Sequence, residues 1–272
     1  MLIEYWLDRS VPVIVLLLAA ALAASALAIR WITFGRLTRS VAASLGGVVA
    51  PFFGAVSVLF SLLTGFAATD AWERNRVASR AILAERDGLV AIHDLSLSAA
   101  ADLSAIRAAV RTYLDVVISD EWPRLPNGES SPKVGPALGA LLREIARPGL
   151  STETGEVGEV AQTALLDLAL RVRSARSDRL ALSEQYSDHP KWWSVFLLAV
   201  LTQVALGLVH LDKPRAQAAA LVVFSAAAVV AIGLIAVKER PFDGPLGLAP
   251  TALAEALARM PPDAPPEPAS KP

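Results

Sequence analysis

The chain has 272 residues, a formal charge of −1, 54% hydrophobic residues and a mean hydropathy of +0.48, which is high for a soluble protein. Near-neutrality argues against a basic nucleic-acid surface. The lack of cysteine excludes disulfides, thiolate metal sites and cysteine nucleophiles.

Charged side chains are missing from four windows: Ser10 to Ile29, Ser40 to Thr69, Trp192 to Leu211 and Ala216 to Val237. About 20 apolar helical residues span a bilayer core, so each window predicts a transmembrane helix. The first window resembles a signal peptide only in position. Glu4 and Asp8 spoil the basic start that a signal peptide needs, and the apolar run is too long. In the second window Gly46 and Gly47 precede Pro51, which predicts a shallow or kinked stretch and a spanning helix that restarts near Pro51. No breaker follows until Gly88, so that helix is expected to leave the membrane near Asp70 and continue.

Residues 70–191 carry 18 acidic and 15 basic side chains and read as helix almost throughout. One helix is expected over Asp70 to Leu97 and a second over Asp102 to Glu121, ended by Trp122-Pro123. Proline, Asn127-Gly128 and polar residues predict a loop from Arg124 to Pro136. A short helix follows over Ala137 to Arg147. A loop and helix start at Ser151 to Glu156 then lead into a long helix through about Tyr186. Asp188-His189-Pro190 reads as a break, and Trp192-Trp193 fits an interfacial aromatic belt. After Lys238-Glu239-Arg240 come a turn, a short amphipathic helix over Thr251 to Met260, and a proline-rich end with the composition of a disordered tail. The expected fold is therefore all-α. Residues 1–69 hold two spans, 70–190 a helical polar domain inserted between the second and third spans, 191–240 two more spans, and 241–272 the turn, short helix and tail.

Four spans put both termini and the polar domain on one side. Three arginines between Arg30 and Arg39, with Lys213 and Arg215, favour cytoplasmic short loops. Arg74, Arg76, Arg80, Lys191, Lys238 and Arg240 oppose them from the other side, and the charge count leaves the orientation open.

Little in the sequence points to reaction chemistry, and neither an enzyme nor a cofactor is expected. His93, His189 and His210 have no second ligand at metal spacing and read as surface or interface residues. No phosphate-binding glycine loop or nucleophile elbow occurs. Asp120-Glu121 reads as a solvated helix end. Thr202 and Gln203 are polar residues inside a span, the kind that hydrogen-bonds between helices. Glu85 lies on or near a stripe of Ala78, Ile82, Leu89 and Ile92. A carboxylate there needs a partner, from Arg80, Arg86 or the long helix ending near Tyr186. Val58, Leu62 and Phe66 stand at i, i+4 and i+8 on one helical stripe, which by itself reads as packing or lipid-facing apolarity.

Several segments resemble the bestrophin-like domain family of bacterial membrane proteins. They are Trp72-Glu73-Arg74 with Glu85 and Leu89, Tyr113 to Pro123, Arg176 to Leu180, Pro190-Lys191-Trp192, and Arg240-Pro241-Phe242-Asp243-Gly244. Glu239 departs from an aspartate frequent in that pattern. More distantly the chain is similar to the bestrophin channels, which are pentamers with four spans per subunit and a cytosolic helical domain. That resemblance implies a homo-oligomer in the cell membrane, a cytoplasmic polar domain, and a pore neck formed by Val58, Leu62 and Phe66. Trp72, Glu73 and Glu85 would support the pore or the bundle. The acidic calcium clasp of the animal channels is not visible, and the permeant ion stays open. A non-conducting sensor or scaffold, whose helical domain binds a partner, is the alternative.

Overall fold

The computed structural model describes residues 9–35, 44, 50–98, 102–147, 156–184, 189–244 and 246–261. Eight α-helices occur among them: α1 (Val11–Phe34), α2 (Ala50–Ser98), α3 (Ser104–Val116), α4 (Val134–Ile145), α5 (Glu156–Ser183), α6 (His189–Val209), α7 (Pro214–Lys238) and α8 (Thr251–Arg259). No strand is present among the described residues. The shallow stretch expected before Pro51, the loop and helix start expected at 151–155, and most of the proline-rich end lie outside them.

Four helices, α1, α2, α6 and α7, are long and apolar enough to cross a membrane. The second is a single helix of 49 residues that begins at Ala50, runs through Asp70 and ends at Ser98. Pro51 sits in its first turn, where a missing N–H costs nothing.

Tertiary contacts divide the chain into two units. The first comprises residues 1–75, 186–240 and 244–247. In it α1 packs on α6 and α7, and the core gathers Ile14, Leu18, Leu22, Phe60, Ala71, Trp192 and Ile232. Gly207 allows a close approach: a Cβ there would lie 2.5 Å from Ile29 Cγ2. Polar side chains join the spans where no water can serve. Gln203 Nε2 donates to the Leu22 carbonyl at 3.1 Å and to Ser225 Oγ at 2.8 Å, whereas the Thr202 hydroxyl bonds its own helix at Leu198. Of these two polar residues it is therefore Gln203 that ties helices together.

The second unit comprises residues 76–185, 241–243 and 248–272. Its core is apolar and helical, with Ile82, Leu89, Ile106, Tyr113, Leu141, Leu165, Val172 and Leu253 buried. Gly88 lets α2 meet α5, since a Cβ there would lie 2.6 Å from Val172 Cγ2.

Three sequence expectations need correction here. Trp122-Pro123 does not end the helical path: α3 passes into a π-helical turn (Val117–Glu121) and then a 3-10 helix (Trp122–Asn127) closed by Gly128 at φ 70°. The helix α4 starts at Val134, inside the expected loop, with Pro136 in its first turn. Likewise His189-Pro190 opens α6 instead of breaking the chain. In each case proline starts a helix, because its fixed φ suits the first turn.

Candidate functional site

On α2 the residues Val58, Leu62 and Phe66 are 64%, 53% and 63% exposed, while Phe60, Ala67 and Ala71 on the opposite face are buried. Four residues rise about 6 Å, so the three side chains climb one stripe over about 12 Å. Ala55 and Gly65 lie on the same side, and a Cβ added at Gly65 would meet nothing within 4 Å. Exposure alone does not single out this stripe, since Leu16, Val222 and Val230 on α1 and α7 are equally bare. What does is the packing of the whole helix. The chain buries only 11% of the most apolar stretch of α2, against 22%, 44% and 33% for α1, α6 and α7. Trp72 is exposed and Glu73 half-buried just beyond it.

A polar cluster follows at the end of the apolar stretch. Lys191 Nζ lies 2.6 Å from Glu239 Oε1 and 3.0 Å from Asp70 Oδ2. Arg74 approaches the same Glu239 oxygen at 3.9 Å, and Asn75 Nδ2 donates to the Lys238 carbonyl at 2.6 Å. Three spans thus contribute to one charge-balanced set around a buried carboxylate. Trp192 beside it is buried against Phe196, with ring centroids 6.1 Å apart. Of the expected aromatic belt only Trp193 is exposed.

The second unit has its own cluster, fully enclosed. Arg179 Nε donates to Glu85 Oε2 at 2.8 Å, and its Nη2 donates to Glu85 Oε1 at 3.1 Å and Glu121 Oε1 at 2.8 Å. Arg176 forks onto Glu121, and Tyr113 donates its hydroxyl to Glu85 Oε1 at 2.6 Å. The Arg179 guanidinium lies 5.3 Å from the Trp122 ring, which meets Phe242 edge-on at 5.8 Å. Trp122 Nε1 donates to the Leu248 carbonyl. Burial and then the charge of Glu85 push the Tyr113 hydroxyl well above the ordinary range. Burial works against the charge on Arg179, but Glu85 and Glu121 outweigh it and hold the guanidinium charged.

Glu121 is accordingly not a solvated helix end, as its pairing with Asp120 at a helix terminus implied. The wider π turn re-aims it toward Arg176 and Arg179, which the sequence does not announce. Asp120 does face outward, where the Ser131 hydroxyl and Lys133 hold its carboxyl down at about 2. Glu85 has its partner in Arg179, on the long helix among the three sources that its apolar stripe required. His93 is buried instead of superficial, with Nδ1 at 3.3 Å from Asp94 Oδ1, while His189 and His210 are half-buried. No group of three metal-ligating side chains occurs among the described residues.

Four apolar helices, a bare stripe on the least packed of them, and two buried ion clusters define a multi-pass, all-helical membrane protein. The Bestrophin-like domain family matches residues 20–253, and the chain belongs to that family. The solved structures that resemble it include a point variant of a bacterial bestrophin homologue from Klebsiella pneumoniae. It shows 13% identity, 93% of this chain and 97% of that one covered, and a TM-score of 0.68. A second structure of a bestrophin homologue from Klebsiella pneumoniae gives 12% identity, 90% and 95% coverage, and a TM-score of 0.64. At such identity the likeness shows the fold. A search among curated proteins finds no match.

Proposed function

We propose that the protein is an ion channel: a homo-oligomeric ring, pentameric by analogy with the bestrophin channels, in which copies of α2 surround a narrow apolar neck of Val58, Leu62 and Phe66. The observation that carries this reading is the sparse packing of α2, with a bulky apolar stripe that the chain leaves uncovered. Lipid needs only one face of a spanning helix. A helix this bare has a second face available for neighbouring copies.

Three stacked apolar rings would strip water from an ion without replacing it, so the resting neck is closed or poorly conducting. Trp72 and Glu73 would support its end and Glu85 the bundle. The second unit, with its excess of ionisable groups, faces the cytoplasm in this reading. No cofactor enters, and the ion is left open.

One observation favours the sensor reading: a cavity of about 520 Å³ in the second unit, lined by Arg86, His93, Asp94, Glu255 and Arg259. Its size suits a small ligand.

Two measurements separate the readings. The mass of the purified protein should show a ring. V58A/L62A/F66A should raise ion flux in proteoliposomes, while L59A/L63A should not. A monomer, or a silent triple variant beside a working control channel, removes the pore reading.

A further inference from the structure

The cluster of Asp70, Arg74, Lys191 and Glu239 has no part in catalysis or in any ligand site, yet it is built from three different spans. Its members belong to α2 just past Phe66, the first turn of α6, and the residue after α7. Its contacts fasten the end of α2 to α6 and α7. Ala67 and Ala71 bury the back of α2 in the core that contains Trp192, Ile232 and Ile235. At about 100° per residue, Arg74 and Asn75 stand more than about 100° round the helix from the centre of the Val58–Phe66 stripe, whereas Asp70, four residues past Phe66, continues the row of the stripe toward α6. Arg74 reaches Glu239 and Asn75 reaches the Lys238 carbonyl, both at the end of α7. Lys191 closes the set by bridging Asp70 to Glu239.

Lys191 is the hinge pin of this arrangement. Glu239 is buried, its Oε1 faces Lys191, and its Oε2 has no hydrogen-bond partner. Arg74 also approaches Glu239, at 3.9 Å, but Lys191 is the cation that contacts Asp70 and Glu239 together. Without the ammonium nothing ties Asp70 to Glu239, the end of α2 loosens from α7, and the free direction is the uncovered one, toward the stripe.

We propose that Lys191 is a positioning residue for the neck: by holding Asp70 to Glu239 it draws α2 back against α6 and α7 and so sets the bore. The inference rests on the pore reading. A lean of about 1 Å by each copy would take about 2 Å from the diameter, a large fraction of a narrow apolar constriction.

The test uses the full chain in planar bilayers, in the V58A/L62A/F66A background, with unitary current as the readout. Unitary current does not depend on how much protein folds. Adding Lys191→Met should lower it about threefold or more, whereas Lys191→Arg, which keeps the cation, should hold the background value. Lys191→Met/Glu239→Gln removes both halves of the pair and leaves no buried charge alone, so it tests the tie apart from simple instability. It should also conduct less.

Unchanged or larger current from Lys191→Met, or full recovery in the double variant, overturns the assignment of Lys191 while the pore reading stands. A background that passes no current beside a working control removes the pore reading, and this inference with it.

Discussion

Replacing Arg179 by methionine probes the buried cluster of the second unit at its centre. The guanidinium is fully enclosed and serves two carboxylates, Glu85 and Glu121. Methionine has a similar length and no charge. After the change Glu121 still has Arg176, but Glu85 keeps only the Tyr113 hydroxyl. Breaking one side of a buried pair usually costs about 3–5 kcal/mol. Melting should therefore drop by about 10–20 °C at pH 7 for a unit of this size. Leu at Glu85 together with Met at Arg179 leaves no charge stranded and should recover at least half of the loss. Thermal melts in detergent by circular dichroism read all of this. A melting point within about 2 °C of wild type for Arg179→Met, or no recovery in the double variant, would show that the cluster is not the buried, charge-balanced set described.

Other outcomes follow from single contacts. Asp120 is held at about 2 against an ordinary 3.8, so its contribution to stability is present above about pH 4 and is lost as pH falls toward 2. Asp120→Asn should flatten that acid limb, read by melting against pH. Gln203→Leu removes the bonds from α6 to the Leu22 carbonyl and to Ser225. It should cost about 1 kcal/mol in an unfolding titration. In the channel reading Asn127, exposed at the end of the 3-10 helix, faces the cytoplasm. Asn127→Cys in this cysteine-free chain should resist a membrane-impermeant thiol reagent in intact cells, and rapid labelling would reverse the orientation.

The spans were legible because charge is excluded from a bilayer, and four charge-free windows correspond to α1, α2, α6 and α7. The unbroken course of α2 through Asp70 was legible too, since nothing between Pro51 and Gly88 stops a helix. Proline misled the reading at Pro123, Pro136 and Pro190, each of which lies in the first turn of a helix. A proline breaks the turn before it and suits the turn it begins, and its neighbours alone do not say which applies. The stripe of Val58, Leu62 and Phe66 was visible as a spacing. That the chain leaves it uncovered is a property of packing, which spacing does not contain.

Glu121 shows most directly why the candidate sites were only partly legible. Its partners Arg176 and Arg179 are 55 and 58 residues away, and the π turn that aims it leaves no mark in a helical pattern. The fragments that carry the family resemblance nevertheless contain the named members of the second cluster and, of the first, Arg74 and Lys191. Lys191 meets Glu239 in one, and Glu85, Tyr113, Glu121, Trp122, Arg176, Arg179 and Phe242 assemble in the other. An apolar core accepts many swaps of similar volume, so its residues drift without harm. A buried, balanced ion set does not, because changing one member strands another, and only a concerted change escapes the cost. Short polar fragments, widely separated along the chain, are then what a family of this fold can still share when overall identity to its solved relatives is as low as 12–13%.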